Sequence, residues 1–399
     1  MTDPAAPRQF RDPSNPGAPL LPRSGWSRPP LHRWTFQHIR EMTPTAQVWR
    51  GRGPVMPLPA RPVDLGPVAF EAGGRAMTVD GFLEDSATDG FLVIHRGSVV
   101  YERYFNDMMP HDQHLSMSVA KSIVGILAGI VIGKGLIDPA APITDYLPEL
   151  GATAYRGASV QNVLDMTTGV VFDESYDTPG SHMMKLGYAC GWRDQRPDGW
   201  PRTVWELILS LTEQDRPHGS LFRYRSIETD VLGFALERAT GASLAVLLGR
   251  ELWAPMGAEE DAYFTVDHGG AALADGGFCA TLRDYGRFAR LLLDGGRRGD
   301  RQIVPAGWIE ETRNGRADLF QGIYREVLPD GAYHNQIWIE DGVRRAYLAR
   351  GIYGQFIYVD PEASFAAVKL STWPDVISAG RSIETLRAFR AIRRALGAD

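Results

Sequence analysis

The stretch Val119-Ala-Lys-Ser-Ile-Val-Gly-Ile-Leu-Ala-Gly-Ile-Val-Ile132 constrains this chain more than any other. Val119, Ile123, Ile126, Leu127 and Ile130 recur at helical spacing. Ala120, Val124, Ala128 and Val131 fill the remaining sides. A helix that is apolar almost all round must be buried on most of its faces. The rest of the chain therefore has to supply layers around it. Gly133 and Gly135 provide the stop. Ser118 stands at the mouth of this helix and Lys121 lies just inside it. The two are roughly 60° apart around the axis and point away from the centre of the apolar stripe.

Each residue has an ordinary explanation. Serine is a favoured N-cap, a lysine can snorkel to solvent, and S-x-x-K recurs by chance. The setting, at the start of a long buried helix that follows an expected hairpin, supports a chemical reading. A serine hydroxyl is a weak nucleophile until a base takes its proton. A lysine one turn along can be that base if burial and positive neighbours lower its pKa. The unpaired N–H groups of the helix start favour negative charge, and one of them can help hold an oxyanion.

Composition sets the bounds. The 399 residues are 44% hydrophobic and 23% charged, enough for a large core in two or three domains or one domain with insertions. A net charge of −6 and the absence of a Lys/Arg run argue against a nucleic-acid surface. Cys190 and Cys279 do not suggest a disulfide framework. The first residues lack an apolar signal region, and Ile123–Ile132 is too short to span a bilayer. A soluble, cytoplasmic protein without membrane contact is expected.

Along the chain, residues 1–60 are rich in Pro, Arg and Gly but carry Trp26, Trp34, Phe36 and Trp49. They read as an extended arm packed on the body, because proline density argues against regular structure. Residues 66–85 suggest one strand and a short helix. Residues 90–105 form a hairpin around Arg96-Gly97-Ser98. Residues 136–265 are mostly helical, with helices at 160–166, 203–211, 229–239 and 243–252 and a long irregular loop at 171–201. A helix at 284–293, three strands at 345–350, 355–359 and 365–371, and a helix at 383–396 follow. Strands, helices, strands and helix in that order indicate an α/β (α+β) body. It is built from 61–135 and 266–399, with a helical domain at 136–265 inserted.

Other residues can complete a site. Tyr224, in Leu221-Phe-Arg-Tyr-Arg-Ser226, has Arg223 and Arg225 beside it; cationic neighbours would favour a strongly donating phenol. The alternative is a packed tyrosine with its hydroxyl on backbone. Gly351-Ile-Tyr-Gly354 lies where a strand meets a loop and allows close backbone approach, or is a plain turn. His111 and His114 have no supporting ligand nearby, so no metal site is expected. No G-x-S-x-G elbow or phosphate loop occurs.

Ser118-Val-Ala-Lys121, Tyr224-Arg-Ser226 and Gly351-Ile-Tyr-Gly354 stand in the order used by penicillin-recognising serine hydrolases. More closely, the chain resembles the 6-aminohexanoate-dimer hydrolases. The likeness extends over Arg33-Trp34, Glu41-Met42, Asp230-Val-Leu232, Gly276-Gly277, Leu291 to Gly296 and Ser371-Thr-Trp-Pro-Asp375. The resemblance implies a β-lactamase-like fold, an antiparallel sheet flanked by helices and packed on an all-α region, with the site between them. It implies Ser118 as nucleophile, Lys121 as base and Tyr224 as proton relay. It places oxyanion donors at the N–H groups of Ser118 and Ile352 and makes Tyr176 a closing residue over the scissile amide. It implies no cofactor, and it suggests a homodimer.

Two departures bear on substrate. Ser226 stands where β-lactamases and peptidases carry asparagine, and Gly-Ile-Tyr-Gly replaces their Lys-Thr-Gly. Gly187 falls where an acidic residue of the nylon-oligomer group meets the substrate's ammonium; Asp275 is the substitute candidate, or caps a turn. The reading is a serine hydrolase of carboxylic esters or linear amides such as 6-aminohexanoate oligomers. A penicillin-binding D,D-peptidase or β-lactamase and a catalytically silent ligand-binding member are the alternatives.

Overall fold

The computed structural model describes residues 25–398. Its centre is a seven-stranded, fully antiparallel sheet. The spatial order is Ala332–His334, Ile337–Ile339, Tyr347–Gly351, Gln355–Asp360, Phe365–Ser371, Thr88–His95 and Ser98–Tyr104. The early hairpin turns at Arg96 and Gly97, both with positive φ. It joins the late strands through Phe365↔His95 to Ser371↔Thr88, so the two ends of the chain close one sheet.

Every residue of Phe365–Ser371 is buried, because both faces of the sheet are covered. Phe365 and Ala367 face one layer with Phe82, Leu83, Phe389 and Ile392, supplied by the helices Val79–Asp85 and Ala379–Ala395. Ala366, Val368 and Leu370 face the other, with the helices Val119–Gly133 and Leu282–Leu293. The apolar helix Val119–Gly133 is thus a core helix, buried from Val119 to Val131. Its glycines have a packing reason. A Cβ at Gly125 would run into the Asn335 carbonyl, and one at Gly129 into the Trp308 ring. Each glycine costs the helix about 1 kcal/mol of propensity and is repaid by that close approach.

On its other side this helix packs on Ile227–Thr240, the central helix of the helical region. That helix ends at Gly241 in the left-handed conformation, as the sequence suggests. A second antiparallel sheet, ordered Thr45–Val48, Ala262–Thr265, Phe278–Thr281 and Gln113–Leu115, leads straight into the turn at Ser116–Ser118.

Three expectations are corrected. Of the arm, residues 1–24 lie outside the described residues; the remainder is not simply extended. His32–His38 is helical and Thr45–Val48 is a sheet strand. Proline density weighs little there because proline is tolerated ahead of a helix. The loop at 171–201 contains the helix His182–Ala189, capped by Ser181 through the Met184 N–H. The region 66–85 holds two paired strands, Ala69–Ala72 and Arg75–Thr78, rather than one. No single described helix is long and apolar enough to cross a membrane.

Candidate active site

Gln113–Leu115 delivers the chain to Ser116, whose N–H and hydroxyl both donate to the Phe278 carbonyl, at 3.0 and 3.1 Å. Met117 then takes a positive φ of 50°, a conformation that costs a non-glycine residue about 1 kcal/mol or more. This turn presents Ser118 at the start of Val119–Gly133. The mirror of this strain lies opposite. Tyr353, next to Ile352, has φ 60°. It is pinned by its N–H to Val376 (3.0 Å) and by the Trp373 N–H on its carbonyl (3.1 Å). Its ring packs against Phe36 and His32 of the N-terminal helix. Two strained residues thus flank the two backbone groups, Ser118 and Ile352, expected to bind an oxyanion. Among the described residues neither N–H meets an acceptor within the protein. Gly351 is needed between them, because a Cβ there would strike the Ser116 carbonyl.

Lys121 is 1% exposed. Its Nζ donates to Ser118 Oγ at 2.8 Å and to the Asp275 carbonyl at 2.6 Å, and lies 3.5 Å from the Asp275 carboxylate. Tyr224 faces the same pair. Lys121 Nζ is 5.2 Å from its ring centre, and its hydroxyl lies close enough to Ser118 and Lys121 to interact with both. The cationic neighbours differ from expectation. Arg225 turns inward to Glu228 (3.1 Å) and to the Val170 carbonyl (2.8 Å), while Arg223 reaches Asp215 (3.5 Å). The positive charge beside Tyr224 is Lys121 itself.

The electrostatics also correct the picture of Lys121. Burial opposes its charge, but the Tyr224 oxygen and the carboxylates of Asp275, Glu174 and Asp230 outweigh burial and raise its pKa. Its neighbours are acids rather than cations, and their pull outweighs the cost of burial. For Tyr224, burial raises the pKa while Lys121 and the hydrogen bonds from Ser118 and Lys121 pull the other way; the net is upward.

Sequence reasoning passed over two of these acids. Glu174 accepts from the Ser226 N–H (2.8 Å) and hydroxyl (2.6 Å) and from the Tyr176 hydroxyl (3.3 Å). Burial pushes it up to about 7 against the pull of Lys121 and Ser226. It lies two residues before Tyr176, and that spacing was the one available signal. Asp230, buried at 2%, accepts from the Asp275 N–H at 3.2 Å, and burial raises its pKa well above the ordinary value.

Ser118, Tyr176, Ser226, Asp275, Gly187 and Ile352 all border one cavity of 840 Å³. Its remaining wall mixes apolar side chains, Trp26, Met183, Leu186 and Trp192 among them, with Arg28, Arg193, Asp194 and Gln195. Ser226 is committed to Glu174, and Asp275 to Lys121 on one side while its Oδ1 has no partner. Gly187 is covered by the Arg193 side chain, whose Nε lies 3.0 Å from where a Cβ would be. His111 and His114 form no ligand cluster, and no group of three metal-binding side chains occurs among the described residues. His114 instead meets the Asp89 carboxylate at 3.1 Å in the core.

A serine at a helix start, hydrogen-bonded to a buried lysine with a phenol beside the pair, beneath a seven-stranded antiparallel sheet, defines a class, and comparison with known proteins agrees. Residues 76–391 match the family model described as Beta-lactamase, and the chain belongs to that family of serine hydrolases. Within it, the chain is 38% identical over 362 residues to a 6-aminohexanoate-dimer hydrolase of Paenarthrobacter ureafaciens, covering 90% of this chain and 89% of that protein. A solved structure from Bacillus anthracis, proposed to be a 6-aminohexanoate-dimer hydrolase, superposes with a TM-score of 0.85 at 28% identity, over 94% of this chain and 97% of the other. A family VIII carboxylesterase shares the fold, with a TM-score of 0.57 at 16% identity, over 78% and 96% of the two chains.

Proposed function

We propose that this protein is a serine hydrolase that acts through an acyl-enzyme on carboxylic esters and linear amides, 6-aminohexanoate oligomers among them. The observation that carries the reading is the 2.8 Å contact between Lys121 Nζ and Ser118 Oγ at the floor of a cleft that also offers two unspent N–H groups. Ser118 Oγ attacks the carbonyl carbon and its proton passes to the Lys121–Tyr224 pair. The Ser118 and Ile352 N–H groups hold the oxyanion. As the bond to the leaving atom breaks, the pair returns the proton to it, releasing an alcohol or amine. Water then attacks the acyl carbon, gives one proton to the pair, and the pair restores it to Ser118 as the acid departs. Tyr176, at the rim with its hydroxyl on Glu174, covers the reacting bond.

The Arg193 cover on Gly187 favours an acyl chain without a positive charge. This places simple esters ahead of ammonium-ended oligomers as substrates. The same reading has the enzyme act as a homodimer, which the resemblance implies, and in the cytoplasm, which two buried free thiols, Cys190 and Cys279, suit. The test is pre-steady-state hydrolysis of p-nitrophenyl butyrate. The wild type should release a stoichiometric burst of nitrophenol. Ser118→Ala should give none while keeping its circular dichroism spectrum. An undiminished burst in that variant would remove Ser118 from the chemistry.

A further inference from the structure

The cleft has a second lobe, of 830 Å³, which shares Ser118, Tyr176 and Ile352 with the first. Tyr224 lines this lobe and not the other. On the acyl-enzyme reading, the leaving atom takes its proton from the Lys121–Tyr224 pair. The leaving group therefore extends into this second lobe and the acyl chain into the first.

The wall of the leaving-group lobe carries Arg350, at the end of Tyr347–Gly351 and two residues from Ile352. Its guanidinium lies 5.1 Å from the Trp338 ring centre and 5.7 Å from that of Phe356, and donates to Ser382 Oγ at 3.1 Å. Among the described residues it has no carboxylate partner. Other arginines around the lobe do: Arg28 pairs with Asp177, and Arg381 with Asp375 at 3.5 Å. Burial lowers the pKa of Arg350 to about 10, which still leaves it charged at neutral pH. Half-buried and without a carboxylate partner, this cation is a ready donor to an anion that enters the lobe.

A second feature points the same way. Ser378, Ala379 and Ser382, the first turn of the 17-residue helix Ala379–Ala395, border the same lobe. The Ala379 and Gly380 N–H groups have no acceptor among the described residues. A helix start of this kind attracts anions. The acids that border the lobe do not fill the role. Asp177 and Asp375 are held by arginines, Glu174 is turned to Ser226, and Glu326 is exposed.

We propose that this lobe is a subsite for a carboxylate on the leaving group, read by the Arg350 guanidinium and the first turn of Ala379–Ala395. The enzyme then favours substrates whose released alcohol or amine ends in a carboxylate, such as an ω-hydroxy or ω-amino acid. Arg350 is a specificity residue, and the chemistry at Ser118 does not need it.

The test uses two acetate esters that differ only in the far end of the leaving group, those of 6-hydroxyhexanoate and of its N-methylamide. The wild type should prefer the carboxylate in kcat/KM by about 10-fold or more, the scale of one charge-assisted hydrogen bond. Arg350→Leu should erase the preference through KM for the carboxylate ester and leave the N-methylamide rate unchanged, and Arg350→Lys should restore part of it. Equal loss on both esters would show that Arg350 acts only through Trp338 and Tyr224, and would overturn the proposal. So would a wild type with no preference, or one that turns over neither ester while still giving a p-nitrophenyl butyrate burst. Loss of that burst would instead count against the acyl-enzyme reading itself.

Discussion

Two lysines lie wholly inside this protein, Lys121 at the cleft floor and Lys369 between the sheet and the C-terminal helix, 1% and 0% exposed. Lys369 Nζ sits 5.6 Å from the Phe82 ring centre and 5.5 Å from that of Trp373, with the Ser371 hydroxyl as its near partner. Burial lowers its pKa to about 7, Asp89 resisting only in part. Lys121 meets the same desolvation, yet its pKa rises, because the Tyr224 oxygen, Asp275, Glu174 and Asp230 surround it. Burial alone therefore does not make a lysine basic or nucleophilic. The company it keeps decides its charge. Around Lys121 the fold gathers acids that are themselves strained by burial, as the raised pKa values of Glu174 and Asp230 attest.

Lys121→Ala should lower ester hydrolysis by about 10³-fold, within the range of general acid–base catalysis, whereas Lys369→Met should leave kcat/KM within about twofold; steady-state kinetics on p-nitrophenyl butyrate decide between them. Comparable losses in both would dissolve the distinction. Next, Tyr224→Phe should cost about 10²-fold, since the lysine remains but the relay to the leaving atom is gone.

The pH profile sharpens the contrast. With Lys121 and Tyr224 both shifted upward, the pair holds both of its protons at neutral pH and accepts the Ser118 proton only after losing one. kcat/KM should therefore rise as pH increases above neutrality. Asp275→Asn removes a negative neighbour and should move that limb to lower pH. A limb that stays in place would take Asp275 out of the electrostatic account.

The smallest effect concerns stability. In the unfolded chain Lys369 stays protonated to about its ordinary 10.5, whereas in the fold it loses its proton near 7. Between those values the unfolded state binds more protons, so its cost to the fold is complete below pH 7 and fades as pH rises to 10.5. Lys369→Met should thus gain about 1 kcal/mol in urea unfolding at pH 6 and less at pH 9. An equal gain at both would contradict the sign of the shift.

How much of this was legible depended on the length of each pattern. Val119–Gly133 is apolar almost all round, the early hairpin turns on Arg96-Gly97, and Phe365–Ser371 is a β-rich run broken only by Lys369 before its closing serine; each announces itself locally. Gln113–Leu115, Ala332–His334 and Ile337–Ile339 span three residues each, too few to show an alternation. The helix His32–His38 was hidden by the prolines ahead of it, although it buttresses Tyr353 through His32 and Phe36. At the site, Ser118 and Lys121 are neighbours on one turn and could be paired from sequence. The acids that set the charge of Lys121 come from residues 174, 230 and 275, and no local pattern links them. Arg350 was likewise invisible, since its meaning lies in the partner it lacks.

The central claim is that Ser118 carries the acyl group. Intact-mass spectrometry with peptide mapping, after treatment with a fluorophosphonate, tests it most directly. The account predicts one adduct per chain, on the peptide that contains Ser118, and none in Ser118→Ala. Labelling at another residue in the wild type, or undiminished labelling of Ser118→Ala, would contradict it.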